Sequence, residues 1–208
     1  MSACVEIITA PYTCFLAPPG TAFPGVSEAE EDFPEEWVRV GTSGDLNYSE
    51  VGVSITHSQT QEQFVSARGT PRKKWRSSEG MEIDFELVDL SPKQYALVLD
   101  DVPVTSIAGE ESFAMRRGLR AHVYTLLLRG PSALAEAGVS QYEVPACYQS
   151  SNPSPSFSLR KGPAFLALAF EVVEDTPDQF ARLRVGEGTE EAFLFPEDLL
   201  YPEDALYM

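Results

Sequence analysis

Residues 81–87, Met-Glu-Ile-Asp-Phe-Glu-Leu, alternate apolar and acidic side chains without a break. Successive side chains of an extended chain point to opposite faces. Met81, Ile83, Phe85 and Leu87 therefore share one side, and Glu82, Asp84 and Glu86 the other. A helix would scatter those carboxylates around its circumference. The segment predicts a strand with one buried and one wet face, and its apolar side needs further strands to cover it.

Other segments carry the same signature. Residues 37–40 form a short strand closed by Gly41, and Val51, Val53 and Ile55 alternate with Gly52, Ser54 and Thr56. Residues 64–67, 120–128, 164–174 and 180–185 also read as strands, the 164–174 run being apolar enough to lie centrally in a sheet. Ser91-Pro92 opens the one clear helix, with Ser91 as N-cap, Pro92 in the first turn and Pro103 just beyond its end. A chain of 208 residues can bury a sizeable core without metals or disulfides. The fold expected is mainly β, a sandwich or barrel-like body with one flanking short helix and extended N-terminal and C-terminal arms.

Three stretches stand outside that body. Residues 1–36 are dense in proline and glycine and end in the acidic run 28–36, which predicts an arm that extends from the body or lies along its own or another subunit's surface, before a body spanning 37–186. Residues 69–79 predict a long basic connection, with Arg72, Lys73, Lys74 and Arg76 around Trp75. Residues 187–208 predict an acidic tail. It holds a twofold repeat, Phe195-Pro-Glu-Asp-Leu-Leu then Tyr201-Pro-Glu-Asp-Ala-Leu206, whose Phe195, Tyr201 and Leu206 are candidate anchors on a neighbouring subunit. Residues 131–138 suggest a short helical turn.

Charge and motif content narrow the function. With 15 Lys plus Arg against 32 Asp plus Glu, the net charge is −17, so the chain repels phosphate backbones rather than gripping them. The basic connection then reads as a contact for an acidic neighbour, including other copies of the same chain. There is no G-x-S-x-G, P-loop, H-E-x-x-H or C-x-x-C. The two histidines, His57 and His122, stand apart in strand-like stretches, and Cys4, Cys14 and Cys147 have no metal-ligand spacing. The expectation is no catalytic residue, no cofactor and no metal. No apolar run approaches the ~18 residues of a membrane-spanning helix, and no basic region precedes the first apolar stretch as in a signal peptide.

The order of parts resembles the major tail tube proteins of long-tailed, non-contractile bacteriophages. The resemblance rests on Trp37-Val-Arg-Val-Gly41, then Gly52-Val-Ser-Ile55 and Gly69, then Ser78-Glu-Gly-Met-Glu-Ile-Asp-Phe-Glu-Leu87 and a helix with Tyr95-Ala-Leu97. It covers about residues 37–100; beyond that only the general strand content agrees. It implies a virion structural protein, assembled in the host cytoplasm, whose subunits form hexameric rings that stack into a hollow tube. Viral DNA passes through the lumen without specific binding. The implied partners are further copies of the chain and the tape measure, tail terminator and distal tail proteins, with no membrane insertion. An acidic lumen is implied too, for which Glu82, Asp84 and Glu86 are the candidates. Arg72, Lys73, Lys74, Trp75 and Arg76 are the candidates for contacts between subunits or rings. A tube protein of a contractile tail or related secretion system shares this architecture. A monomeric β-barrel with a ligand pocket is the alternative from another class.

Overall fold

The alternating segment is the inner half of a much longer strand. The computed structural model describes residues 12–41, 48–65, 69, 71–88, 90–99, 102–115, 121–132, 138–151, 165–173 and 179–187. In chain order it contains β1 (Thr13–Ala17), β2 (Val38–Val40), β3 (Tyr48–Val65), β4 (Pro71–Leu87), α1 (Pro92–Val98), β5 (Val104–Ile107), β6 (Glu110–Phe113), β7 (Val123–Ser132), β8 (Gly138–Gln149), β9 (Leu166–Val172) and β10 (Arg182–Glu187). The fold is mainly β, as the alternation predicts.

One antiparallel sheet runs β2-β1-β7-β8-β9-β4-β3, and β10 joins it through β8. β8 is the branch point. One edge pairs with β7 between Gly138 and Tyr148, while its opposite edge is divided between β10, from Gly138 to Glu143, and β9, from Cys147 to Gln149. One apolar cluster takes Cys14 and Leu16 from β1, Tyr124, Leu126 and Leu128 from β7, Phe170 from β9 and Ile83, Phe85 and Leu87 from β4. Val98 of α1 closes it. Ser91 caps α1 by accepting from the Gln94 N–H, and Pro92 occupies the first turn, as the sequence predicts. Burial raises the thiol pKa of both Cys14 and Cys147, which holds them neutral.

Several expectations are corrected. Of the N-terminal arm, residues 18–36 lie along the chain's own surface, one of the courses expected, but residues 13–17 are a strand inside the sheet. Thr13–Ala17 lies between β2 and β7, with Phe15 and Ala17 buried on one face and Cys14 and Leu16 on the other. A strand buried on both faces shows no alternation, and its prolines only bound it. The basic connection at 69–79 is strand from Pro71 onward, so residues 48–65 and 71–87 form one long hairpin. The strand expected at 51–55 and the start of that expected at 64–67 are a single element, of which 66 and 67 lie outside the described residues. The strand expected at 120–128 begins at Val123 and runs on through Pro131 and Ser132, where a helical turn was expected to begin. Residues 133–137, which complete that turn, lie outside the described residues, as do 1–11 and 188–208.

β5 and β6 form a separate two-stranded sheet against α1, held by an edge-on contact of Tyr95 with Phe113 and a 2.7 Å ion pair of Lys93 with Glu111. Their two-residue turn, Ala108-Gly109, has positive φ at both positions, 54° and 84°. Glycine tolerates that conformation, whereas alanine meets its own carbonyl there. Ala108→Asn is expected to raise stability by about 0.5–1 kcal/mol, since Asn-Gly is the favoured pair in such hairpins. Chemical denaturation against the unaltered chain measures it.

Candidate assembly surfaces

Two surfaces of the sheet are unlike the rest: a projecting ribbon and an acidic face. Both depend on how the other face of the sheet is covered.

The chain from residue 18 to 37 crosses the outer side of β1, β7 and β8 as a strap. Phe23, Phe33 and Trp37 pack on Phe15, Ala17 and Leu127, and the Trp37 indole N–H donates to the Ala22 carbonyl at 3.1 Å. Beside this apolar seam the sheet presents polar groups. Arg129 and Gln141 are register partners, as are Leu127 and Glu143, and all four are buried. Arg129 donates to the carbonyls of Val26 (2.9 Å) and Glu28 and stacks its guanidinium over Phe33. The Gln141 amide donates to the Pro24 carbonyl at 3.0 Å and to Glu143 at 2.8 Å. Glu143 also accepts from Arg182 at 2.7 Å and Arg184 at 2.9 Å, which ties β10 to β8. The strap's backbone is thus satisfied by side chains in place of a neighbouring strand.

Removing Arg129 strands two strap carbonyls and leaves Phe33 without its cation. Arg129→Leu is expected to cost about 2–4 kcal/mol and to expose residues 18–37 to protease. Denaturation and limited proteolysis read the two effects separately. Within the strap, burial raises the Glu30 carboxyl above its ordinary pKa, against the opposing pull of Arg39 and Arg129. Folded Glu30 holds its proton more tightly than unfolded Glu30. It therefore contributes stability at acid pH that is lost as pH rises through its folded pKa. Glu30→Gln is expected to flatten that part of the stability–pH profile and to raise stability at neutral pH.

The ribbon is the outer part of the β3–β4 hairpin. β9 pairs with β4 only along Glu82–Leu87, so from Met81 outward β4 has β3 alone as partner among the described residues. The eleven residues from Met81 to Pro71 extend roughly 33 Å. Every described side chain at 61–65 and 73–79 is exposed. Among the described residues neither edge of this ribbon pairs further, and a two-stranded ribbon of this kind is marginal in water.

The pairing passes from Thr60↔Ser78 to Gln61↔Arg76, which makes Ser77 an extra residue in β4. This bulge shifts the phase of β4 by one. Trp75 and Lys73 consequently share a side with their partners Glu62 and Phe64, which alternation along β3 places with Thr56, the partner of Glu82. Arg76 falls on the opposite side and pairs with Glu79 at 2.5 Å. Phe64 (60% exposed), Val65 (41%) and Trp75 (43%) make the ribbon apolar as well as basic. Of the candidates in the basic segment, Lys73 and Trp75 lie on one side of this ribbon and Lys74 and Arg76 on the other. Arg72 belongs to β4, but its side chain lies outside the described residues, as do Phe195, Tyr201 and Leu206.

The acidic face lies on β3, β4 and β9. Glu82, exposed, and Asp84 and Glu86, half-buried, stand together as the alternation predicts. A fourth carboxylate was not foreseen: Glu171 of β9 is the direct register partner of Glu82. It accepts the Tyr148 O–H, and this bond raises the Tyr148 pKa. The β9 sequence Leu-Ala-Leu-Ala-Phe-Glu-Val does carry the signal, because Leu166, Leu168, Phe170 and Val172 are buried while Ala167 and Glu171 are exposed. The length of the apolar run conceals that period. Ala167 and Ala169 floor a shallow groove walled by Ser54, Asp84, Glu86 and Ser151.

No family model matches the chain, and a search of curated proteins finds no match. Among the described residues, no three His, Cys, Asp or Glu side chains are grouped to hold a metal ion, and no helix is long and apolar enough to cross a membrane.

Proposed function

We propose that this chain is a structural subunit of a self-assembling tube of the kind that forms bacteriophage tails, and that it acts through surfaces rather than a catalytic pocket. The observation that carries the reading is the β3–β4 ribbon. It is an exposed, basic and aromatic two-stranded projection on a body of net charge −17. A ribbon that cannot bury its own faces contributes most when it lies on another subunit. Identical acidic bodies supply a complementary surface at every step of a repeating assembly.

The acidic face supports the conduit in this reading. Glu82, Asp84, Glu86 and Glu171 would line the lumen and repel the phosphates of passing DNA, so that the strand moves without adhering. Sheet edges open in the monomer, β3 above all, would pair between subunits around the ring. The ring is hexameric on this proposal, and the tube belongs to a non-contractile tail. The fold then works as a sandwich or barrel unit completed by its neighbours.

The test is assembly. At high protein concentration, light scattering and negative-stain microscopy are expected to show rings or tubes. Lys73→Glu with Lys74→Glu is expected to abolish them at low salt while leaving cooperative unfolding unchanged. A chain that stays monomeric under all conditions, including with other tail proteins present, would refute the reading.

A further inference from the structure

One side of the β3–β4 hairpin carries both signs of charge. From its base outward, the register pairs on that side are Thr56–Glu82, Ser58–Gly80, Thr60–Ser78, Glu62–Trp75 and Phe64–Lys73. The Ser77 bulge is what brings Trp75 and Lys73 round to the side of Glu82. Lys74 and Arg76 lie on the other side and take no part. The order is therefore an acid, a waist of small residues, an aromatic ring and a cation. Counted along β3, Thr60–Ser78 is the midpoint: Gly80 and Trp75 lie two positions to either side of it, Glu82 and Lys73 four.

Charge decides how two such surfaces can meet. Laid face to face and pointing the same way, Lys73 would meet Lys73 and Glu82 would meet Glu82. Turned end for end about a two-fold axis at the Thr60–Ser78 pair, each Lys73 instead meets Glu82 of the other copy, and one symmetry operation makes both contacts. Trp75, 43% exposed, then comes over Gly80 and Ser58, where no large side chain obstructs the indole. The receiving end gains as well. Glu82 and Glu171 are exposed register partners on β4 and β9, and like charges directly opposite repel. Lys73, exposed, forms no ion pair among the described residues and is the cation that would relieve them.

We propose that two copies of this chain pair through this side of the β3–β4 ribbon, antiparallel about a two-fold axis at Thr60–Ser78. Lys73 of each copy reaches Glu82 and Glu171 of the other. The shared face, from Thr56 to Phe64 on β3, measures roughly 30 Å by 10 Å, or roughly 300 Å² per copy, against ~800 Å² in a standard interface. The pair is accordingly weak, quick to exchange and sensitive to salt. The contact does not rest on the tube reading. In a chain that builds tubes, it holds the ribbon and part of the acidic face until assembly separates the copies.

The experiment is sedimentation velocity on the full-length chain at low salt, at protein concentrations below those that give rings. The unaltered chain is expected to show a monomer–dimer equilibrium that added salt dissolves. Lys73→Glu and Glu82→Lys should each weaken the dimer by roughly tenfold or more. The two combined in one chain should restore it, as should mixing the two single variants. Symmetry is read separately. A short bis-maleimide cross-linker should join two Thr60→Cys chains at the axis and spare Gln61→Cys, which lies on the other side of the ribbon. A combined variant as weak as the single ones, equal cross-linking at the two positions, or a chain that sediments only as monomer would overturn the pairing. Dimers with this pattern in a protein that never forms rings would leave the pairing standing and remove the tube reading; rings without the dimer would do the reverse.

Discussion

The structure depends on the outer face of β7 and β8 being polar and yet buried. Arg129, Gln141 and Glu143 are expensive to desolvate, and the cost is offset in part because the strap brings carbonyl groups and β10 brings Arg182 and Arg184, while Arg129 Nε and Nη1 and Gln141 Oε1 stay without a hydrogen-bond partner. One network therefore fastens two pieces of chain that are remote in sequence, before β2 and after β9. Without it the sheet would have one covered face, and β1 and β10 would be weakly held additions. With it, the sheet is sandwiched between an apolar cluster on one side and a strap on the other.

That network also explains which parts of the fold were legible in the sequence. Strands with one wet face announce themselves by alternation, as residues 81–87 do. β8 does not, because Gln141 and Glu143 read as surface residues while being buried, and Pro145 interrupts the pattern. β1 is short and buried on both sides, so proline and glycine around it dominate its appearance. The ribbon failed for the opposite reason. Its described side chains at 61–65 and 73–79 are all wet, so nothing selects a period, and the Ser77 bulge breaks whatever phase remains. Its chemistry was legible all the same, since Lys73, Lys74, Trp75 and Arg76 are conspicuous as a group whatever backbone carries them. Glu171 joined the acidic row only once register placed β9 beside β4.

The charge distribution is more orderly than the net value suggests. Carboxylates gather along the part of the sheet that β9 reinforces, and the cations gather where β4 has passed beyond β9. The two are consecutive stretches of one strand, separated by Gly80 and the bulge. A single hairpin thus holds an acidic base and a basic extension at a fixed spacing. A spacing built into covalent geometry is repeated in every copy without further adjustment.

The ribbon's attachment has a mechanical side. β4 enters the body along Glu82–Leu87, where β9 and β3 flank it on both edges. A pull along the ribbon axis loads those backbone hydrogen bonds together, in shear, and they fail only as a group. A sideways push loads them one at a time, starting at Glu82, and peels the strand from β9. The hairpin is therefore stiff as a tie rod and soft as a lever, so a structure joined through it would resist stretching while tolerating bending.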